Sequence, residues 1–343
     1  MGTEELPWQT LKAAAHYKFD HHFEKIKGGY TPYTGYKGYT FEDYTLSAGI
    51  EDTVHIGKQL DIQAGVGFDY REMEKAVDKR GETDTAPPVA FGATDFTAVN
   101  PQLGIFYKLA PNHTVRATIA RKSHFPSIKD RYSYKMGSAL PNPDLGAEYA
   151  THYEVGYTGA PVEGLRVSAA VYYSSIDDAI QTDTITLDAG NPYGLAAGKY
   201  SQAVNTGKAE SLGVELAADY DINKHVGVSA NYAWVRWRNT QNRSLKPTDI
   251  PEHSGLARIN FRPAGTDTVT LSPVLEWASK RYASTAGDEI HGYALLHFIV
   301  TVKVRSDFTI RAGIKNLLDK NYELSEGYPE AGRTFFANAT WTF

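Results

Sequence analysis

The sequence predicts an all-β protein, namely an antiparallel transmembrane β-barrel of about 14 strands. Three observations support this prediction: long segments with period-2 alternation, connections that alternate between short and long, and an aromatic- and glycine-rich composition. The chain of 343 residues contains 23 Tyr, 14 Phe, 5 Trp and 30 Gly, and it has no cysteine. Tyr and Trp are typical of boundaries between apolar and wet surroundings, so their excess fits a barrel in a membrane.

Alternation of apolar and polar residues recurs along the whole chain. In the segment 60–71, apolar side chains at every even position alternate with polar residues and glycines at the odd ones. Such segments predict strands with one apolar and one polar face. Many are ten residues or longer, which exceeds the usual soluble strand and suits a tilted crossing of a bilayer. The predicted strands are 8–19, 41–56, 60–73, 96–109, 113–124, 149–159, 164–177, 200–220, 225–238, 255–263, 268–282, 293–304, 307–317 and 332–343.

The connections between these strands alternate in length. Every second one is a short turn, and the others are long. Strict alternation places all long connections on one side, as in outer-membrane barrels with short periplasmic turns and long extracellular loops. The predicted extracellular loops are 20–40, 74–95, 125–148, 178–199, 239–254, 283–292 and 318–331.

Composition excludes several other classes of protein. A mean hydropathy of −0.40 and the lack of a long apolar run argue against membrane-spanning helices. A net charge of −5 gives no sign of the basic face that nucleic-acid binding needs, and the lack of cysteine excludes thiol chemistry. A soluble β-sandwich or propeller is the main alternative fold. It does not require strands this long, and no blade repeat is present.

Candidate ligand-binding residues lie near the first long connection. Tyr30, Tyr33, Tyr36 and Tyr39 recur every third residue in a Gly- and Thr-rich segment, where their rings are able to stack on a ligand. His21 and His22 stand where the first strand leaves the membrane. The alternative for the tyrosines is that they only lie on the outer ends of strands and at the membrane interface. The alternative for the histidines is that they are ordinary polar loop residues. We interpret four tryptophans as membrane anchors and packing residues rather than as a cofactor site, namely Trp234, Trp237, Trp277 and Trp341.

Enzymatic and metal chemistry have weak support in the sequence. Asp20 with His21 or His22 has the residue types of a hydrolase, and His16 and Glu24 would complete a metal site. No defined partner set accompanies them, so we predict no enzyme, no metal and no cofactor. Three acidic residues have carboxylates of the type that binds calcium, but they are not spaced as the ligands of a calcium-binding loop. They are Asp177, Asp178 and Asp183.

Several motifs resemble the carboxy-terminal barrel of TonB-dependent outer-membrane receptors. They are "FPSIKDRYSYKMGSALPNPDLGAEYATHYEVGYTG" (125–159), "NTGKAESLGVELAADYDI" (205–222), "IPEHSGLARINF" (250–261) and "AGIKNLLDKNYELSEGYPEAGRTFFANATWTF" (312–343). The resemblance covers about residues 100–343. Its most specific parts are Asn316 to Asp319 with Tyr322, the Gly332-Arg333 pair and the terminal Phe343. The aromatic end, Phe335, Trp341 and Phe343, resembles the signal that the barrel-insertion machinery recognises.

The resemblance also implies parts that this sequence lacks. Members of the family carry an amino-terminal plug, a TonB-contacting segment and a barrel of about 22 strands. We find one barrel domain over residues 1–343, no plug, and a barrel about eight strands smaller. The start MGTEELPWQT has no signal peptide, and we interpret it as a truncated reading frame.

The resemblance predicts an outer-membrane receptor for a scarce ligand such as a siderophore, haem, cobalamin or a glycan. The expected location is the bacterial outer membrane. The expected partners are outer-membrane lipid, the barrel-insertion machinery and a small-molecule or metal-chelate ligand, with TonB only if a plug is supplied elsewhere and with no nucleic acid. A plugless passive pore and an outer-membrane hydrolase are the alternative functions.

Overall fold

The fold was analysed in a computed structural model, which describes residues 2–27, 36–80, 89–90, 92, 94–191 and 195–343. One antiparallel sheet dominates it, and consecutive strands of this sheet are hydrogen-bonded neighbours. In order, its strands are β1 Gly2–Leu6, β2 Gln9–Lys27, β3 Tyr36–Ile56, β4 Leu60–Arg80, β6 Phe96–Ala110, β7 His113–His124, β8 Glu148–Val162, β9 Leu165–Asp177, β12 Ala209–Asp221, β13 Val226–Asn239, β14 His253–Phe261, β15 Val269–Ala278, β18 Tyr293–Arg305, β19 Phe308–Lys315 and β22 Thr334–Trp341.

The long connections contain several short strands and helices. A two-residue strand, β5 Val89–Ala90, extends the pairing of β4. Three hairpins stand apart from the main sheet: β10 Ile180–Leu187 with β11 Gly198–Asn205, β16 Arg281–Tyr282 with β17 Glu289–Ile290, and β20 Glu323–Ser325 with β21 Tyr328–Pro329. The helices are α1 Ile128–Tyr132 and a 3-10 turn at Lys135–Gly137. In the described part of the chain, no helix is long and apolar enough to cross a membrane.

The predicted all-β fold with about 14 long strands is confirmed. Apart from β1 and β5, the main sheet contains fourteen strands of eight or more residues. The predicted strand 113–124 has the observed bounds of β7. Within the described residues the sheet is not closed, because β1 and β22 lie at its two ends and each pairs with only one neighbour. Hydrocarbon does not tolerate unpaired backbone groups, so these two edges require partners wherever the sheet lies in a bilayer.

Two predicted strands are divided in the structure. The segment 268–282 comprises β15 and the short β16, which belongs to a separate hairpin. The segment 200–220 is divided at Gly207, whose φ of +79° ends the extended conformation. Before the break, β11 belongs to a loop hairpin, and after it β12 enters the main sheet. The side-chain amide of Asn239 donates to the carbonyl of Thr206 at 2.6 Å and thereby holds the crossing point. Alternation alone did not show this break because the pattern continues on both sides of it.

The first strand pair continues beyond the predicted start of its connection. The prediction placed a loop at 20–40, whereas β2 extends to Lys27 and β3 begins at Tyr36, with paired residues along the full length. Backbone pairing does not require apolar side chains, so a hairpin is able to extend past the apolar part of its strands.

The sheet has one apolar and one polar face. Large apolar side chains on one face are about half exposed, for example Val155 at 59 % and Val171 at 53 %. Exposed apolar area of this extent indicates contact with a membrane or a partner. We call this side the outer face. Aromatic residues flank it near the long connections (Tyr17, Tyr153, Tyr173, Trp234 and Trp277) and near the short turns (Trp8, Tyr107, Tyr220, Phe261 and Trp341), as in membrane barrels.

The opposite side, which we call the inner face, carries hydrogen-bonded charges. Lys12 lies 3.2 Å from Glu51, and Glu51 also accepts a 2.9 Å hydrogen bond from Gln102. Arg116 on β7 donates to Glu154 on β8 at 2.7 Å. Such pairs satisfy polar groups across neighbouring strands, and they suit a wet surface rather than lipid.

Candidate ligand site beneath an inward-folded loop

The long connection between β7 and β8 lies over the inner face. We call residues 125–147 the strap. It begins with α1, which Ser127 caps by accepting a hydrogen bond from the Asp130 backbone N–H at 3.2 Å. Tyr132 of α1 is fully buried in an apolar cluster, whose other members are Tyr39, Phe41, Met73 and Ala76. Burial of aromatic rings on both sides fixes the first half of the strap on β3 and β4.

The second half of the strap is fixed along β11. The Leu140 N–H donates to the Ser201 carbonyl at 2.8 Å, and the Ser201 N–H donates back to Ser138 at 3.1 Å. The Asn-Pro-Asp-Leu motif lies in this part. The Asn142 amide donates to the Ala203 carbonyl at 2.8 Å, and Leu145 is fully buried. This motif therefore joins the strap to the β10–β11 hairpin.

A buried arginine anchors the strap electrostatically. Arg131 is 1 % exposed, and its guanidinium carbon lies 5.0 Å from the Phe96 ring and 4.7 Å from the Tyr132 ring. Burial lowers the pKa of Arg131 from its ordinary value. Asp43, also buried, contributes the nearby negative charge, and its Oδ2 lies 3.9 Å from Nε of Arg71. The inner wall and the strap thus share a compact charged cluster beneath α1.

We expect the strap to loosen at alkaline pH. Burial raises the pKa of Tyr132 to about 12. Because the folded-state pKa lies above the unfolded value near 10, its contribution to stability is complete below pH 10 and is lost as the pH rises towards 12. Urea midpoints measured by far-UV circular dichroism between pH 8 and 12 should show this loss. In Tyr132→Phe the ring does not ionise, so an unchanged pH dependence in this variant would contradict the assignment.

A cavity of about 550 Å³ lies on the inner face, between side chains of β8, β9 and β13 and the start of β10. Its lining combines aromatic, histidine and carboxylate side chains, namely Tyr172, Trp237, His124, His152, Glu148 and Glu154. His152 contacts the Ser174 hydroxyl at 2.7 Å, and Glu148 accepts the Ile180 N–H at 2.8 Å. Flat rings for stacking beside fixed polar groups are the usual contents of a small-molecule site.

Trp237 is a candidate ligand contact, although the sequence predicts it, like Trp234, to be a membrane anchor or a packing residue. In β13, however, Trp237 pairs with Ser211 and lines the inner cavity, whereas Trp234 pairs with His253 on the outer face. The two residues are three positions apart, and an odd spacing in a strand reverses the face. The odd spacing from Trp234 is therefore the sequence signal that places Trp237 on the inner face.

The predicted tyrosine cluster is described only in part. Tyr30 and Tyr33 lie outside the described residues, and Tyr36 is the first residue of β3. Tyr39 is 1 % exposed, and its ring stacks on Phe41 at 6.2 Å and meets Tyr134 at 5.5 Å. Tyr39 therefore packs beneath the strap. Ligand stacking by the tyrosines remains a prediction.

His21 and His22 lie on opposite faces of β2. Nε2 of His21 lies 3.7 Å from Glu42, whereas Nε2 of His22 lies 3.8 Å from Glu24 and its ring stacks on Phe41. The structure therefore does not bring the two histidines together. Asp20 pairs with Lys18 at 2.7 Å. Within the described ranges, no group of three or more His, Asp or Glu side chains is placed to hold a metal ion.

The carboxy-terminal motif forms a clasp between β19 and β22. Asn316 adopts a φ of +49°, and its amide donates to the Lys320 carbonyl at 2.8 Å. The Asp319 carboxylate accepts the Arg333 backbone N–H at 2.7 Å, and Nε of Arg333 donates to Leu317 at 2.9 Å. After the clasp, Phe335, Trp341 and Phe343 are 74 %, 64 % and fully exposed on the outer side.

The clasp requires a glycine at position 332. A Cβ added there would lie 2.5 Å from Oδ1 of Asp319, the acceptor of the Arg333 N–H. We expect Gly332→Ala to break this bond and to destabilise the protein by about 1–3 kcal/mol. Unfolding in detergent, followed by heat-modifiable electrophoretic mobility, measures the effect. Gly198→Ala is the control because its nearest neighbour, Tyr200, lies at 3.8 Å. Equal losses in both variants would contradict this role.

Comparison with known proteins places this architecture in a family. A family profile described as "TonB dependent receptor-like, beta-barrel" matches residues 4–317. The chain belongs to this family of TonB-dependent receptor barrels. The match confirms the resemblance and extends it through the amino-terminal third, while the last strand lies beyond the matched range. Proteins of this family are outer-membrane β-barrels.

Individual relatives of the receptor family share the fold at low identity. The vitamin B12 transporter BtuB of Photobacterium profundum is 25 % identical over 244 residues, which are 71 % of this chain and 37 % of the relative. The copper transporter OprC superposes with a TM-score of 0.76 at 19 % identity, covering 99 % of this chain and 55 % of that one. The siderophore receptor PiuA of Acinetobacter baumannii gives a TM-score of 0.70 at 15 % identity, with 99 % and 54 % coverage. This chain therefore spans about half the length of these solved receptors and a smaller share of the curated relative.

Proposed function

We propose that this chain is the barrel portion of an outer-membrane receptor that takes up a scarce small molecule or metal chelate. The observation that carries the proposal is the inner cavity, in which Trp237 and Tyr172 stand beside His152 and Glu154. The family membership supports a receptor or transporter rather than an enzyme, and relatives are named for vitamin B12, copper and siderophores. The long connections face outward from the cell in this proposal, as the sequence predicts.

The strap favours a receptor over a passive pore. It is fixed to β3 and β4 at one end and to β11 at the other, so it crosses the inner face near the long connections. A segment in this position narrows the path that a freely conducting pore needs.

A binding panel tests the proposal. The detergent-solubilised protein is titrated calorimetrically with cyanocobalamin, haem, ferric enterobactin and maltoheptaose. We expect one of these compounds to bind with a Kd in the micromolar range or tighter. Failure of all four, together with a steady single-channel current in planar bilayers, would support the passive pore instead.

Two partners follow from the same proposal. TonB is a proposed partner only if a plug domain is supplied elsewhere. The described residues are almost entirely strands and loops of the barrel. The exposed aromatic positions Phe335, Trp341 and Phe343 are the proposed signal for the barrel-insertion machinery, and the common outward direction of Phe335 and Trp341 supports this role.

A further inference from the structure

A second cavity interrupts the sheet near the long connections. β13 continues to Asn239, but β14 begins at His253, which pairs with Trp234. Beyond Trp234, only the Val235 N–H still reaches across, to the Glu252 carbonyl at 2.9 Å. The space beside the end of β13 forms a slot of about 530 Å³, bounded by the loop 243–250 and by Ser279, Lys280 and Tyr282.

The slot is strongly basic. Its lining contains five cations, Arg236, Arg238, Arg243, Lys246 and Lys280, and one carboxylate, Glu252. Arg238 is bound to Glu210 outside the lining, and Lys280 to Glu289 at 2.5 Å. Among the described residues, the Arg236 and Arg243 guanidinium groups have no hydrogen bond to a side chain or carbonyl and no ion pair within 4 Å.

The position of the slot indicates the kind of anion. Arg236 and Arg238 follow Trp234 at even spacings and therefore share its outer face. They lie roughly 7 and 13 Å further along the strand, just past the aromatic boundary of the apolar surface. In a membrane barrel this is the level of the lipid headgroups, where cations contact phosphate.

We propose that this slot binds the phosphate of an anionic lipid headgroup, with Arg236 and Arg243 as its principal contacts. Guanidinium groups bind phosphate oxygens in bidentate fashion, which suits two arginines that make no hydrogen bond and no ion pair within the described residues. The acyl chains would lie along the outer face below, where Leu216 and Leu275 are exposed. Lys280 adds positive charge at the far side of the slot.

Binding of a defined lipid tests this proposal. The probe is dioleoyl phosphatidic acid, titrated into the detergent-solubilised full chain and counted as bound molecules by native mass spectrometry. Phosphatidylcholine, whose phosphate is offset by a quaternary ammonium, is the reference lipid. We expect Arg236→Gln combined with Arg243→Gln to weaken phosphatidic acid binding at least tenfold and to leave phosphatidylcholine binding unchanged.

Arg121→Gln is the matched control. Arg121 is an exposed cation of β7 whose guanidinium carbon lies 4.7 Å from the Tyr149 ring, and it stands near the same end of the sheet but outside the slot. It should retain the wild-type affinity. Equal weakening in this control would indicate nonspecific rim charge and would overturn the proposal.

Competition with inorganic phosphate distinguishes a lipid from a soluble anion. If inorganic phosphate displaces phosphatidic acid at a concentration similar to that of the lipid, the slot is a site for soluble anions and the lipid assignment is wrong.

A single variant covers the case in which the double variant does not fold. Arg243→Gln alone, which changes a loop residue, should still weaken phosphatidic acid binding severalfold. Unchanged binding in that variant would also overturn the proposal. Because the ligand panel probes the inner cavity, its failure is distinguishable from loss of lipid binding.

Discussion

Replacing Phe41 by alanine should release the first half of the strap and destabilise the protein by about 3–5 kcal/mol. Phe41 is fully buried, and its ring stacks on Tyr132 of α1 at 5.2 Å and on Tyr39 of its own strand at 6.2 Å. Its removal leaves a cavity between strand and strap that rigid neighbours are unable to fill. Thermal unfolding in detergent measures the loss, and limited proteolysis within residues 125–147 reports release of the strap.

An exposed phenylalanine provides the comparison for Phe41. Phe19 lies on the outer face of the adjacent strand and is 48 % exposed. In detergent, Phe19→Ala should change stability by far less and should leave cleavage of the strap at the wild-type rate. A strap that stays protected in Phe41→Ala would show that the contacts along β11 hold it without the aromatic cluster.

Replacing Trp237 by alanine should weaken ligand binding by about 10- to 100-fold, or roughly 1–3 kcal/mol. Trp237 is the largest aromatic side chain of the inner cavity, and together with Ile250 it also lines the basic slot. Loss of its ring would remove the stacking surface and widen the cavity. Calorimetric titration with the compound of the panel that binds gives the affinity change.

Trp234→Ala is the matched control for Trp237. Trp234 lies three residues earlier in the same strand and faces outward, where its indole N–H donates to Glu252 at 3.3 Å. This variant should retain ligand affinity while losing an anchor at the membrane boundary. If both substitutions weaken binding equally, the effect comes from distortion of β13 rather than from contact with the ligand.

The motifs of the receptor family have structural roles that the sequence did not reveal. The Asn-Pro-Asp-Leu segment fixes the strap to β11, through Asn142 and the buried Leu145. The Asn316 to Asp319 segment and Gly332-Arg333 form one clasp, although residues 320–331 separate them. Their resemblance identified the family, but the reason for each residue type depends on a contact with a distant part of the chain.

The candidate site was predictable only where it depends on local pattern. The charges of the inner face follow from alternation, and Arg116 and Glu154 lie on the predicted polar sides of their strands. His21 and His22, two predicted ligand-binding residues, lie on opposite faces of β2 because adjacent residues in a strand point to opposite faces, and ligand binding by either one remains a prediction. The inner cavity was missed because its lining comes from several separate strands and a loop.

The strands, their order and the direction of most side chains follow from local properties of the sequence, namely period-2 alternation and turn residues. These properties predict fourteen long strands and the apolar outer face. The inward position of the strap and the late start of β14, which leaves the basic slot beside β13, are visible only in the folded chain. These features depend on contacts between residues far apart in the chain, and hydrophobic periodicity carries no information about such contacts.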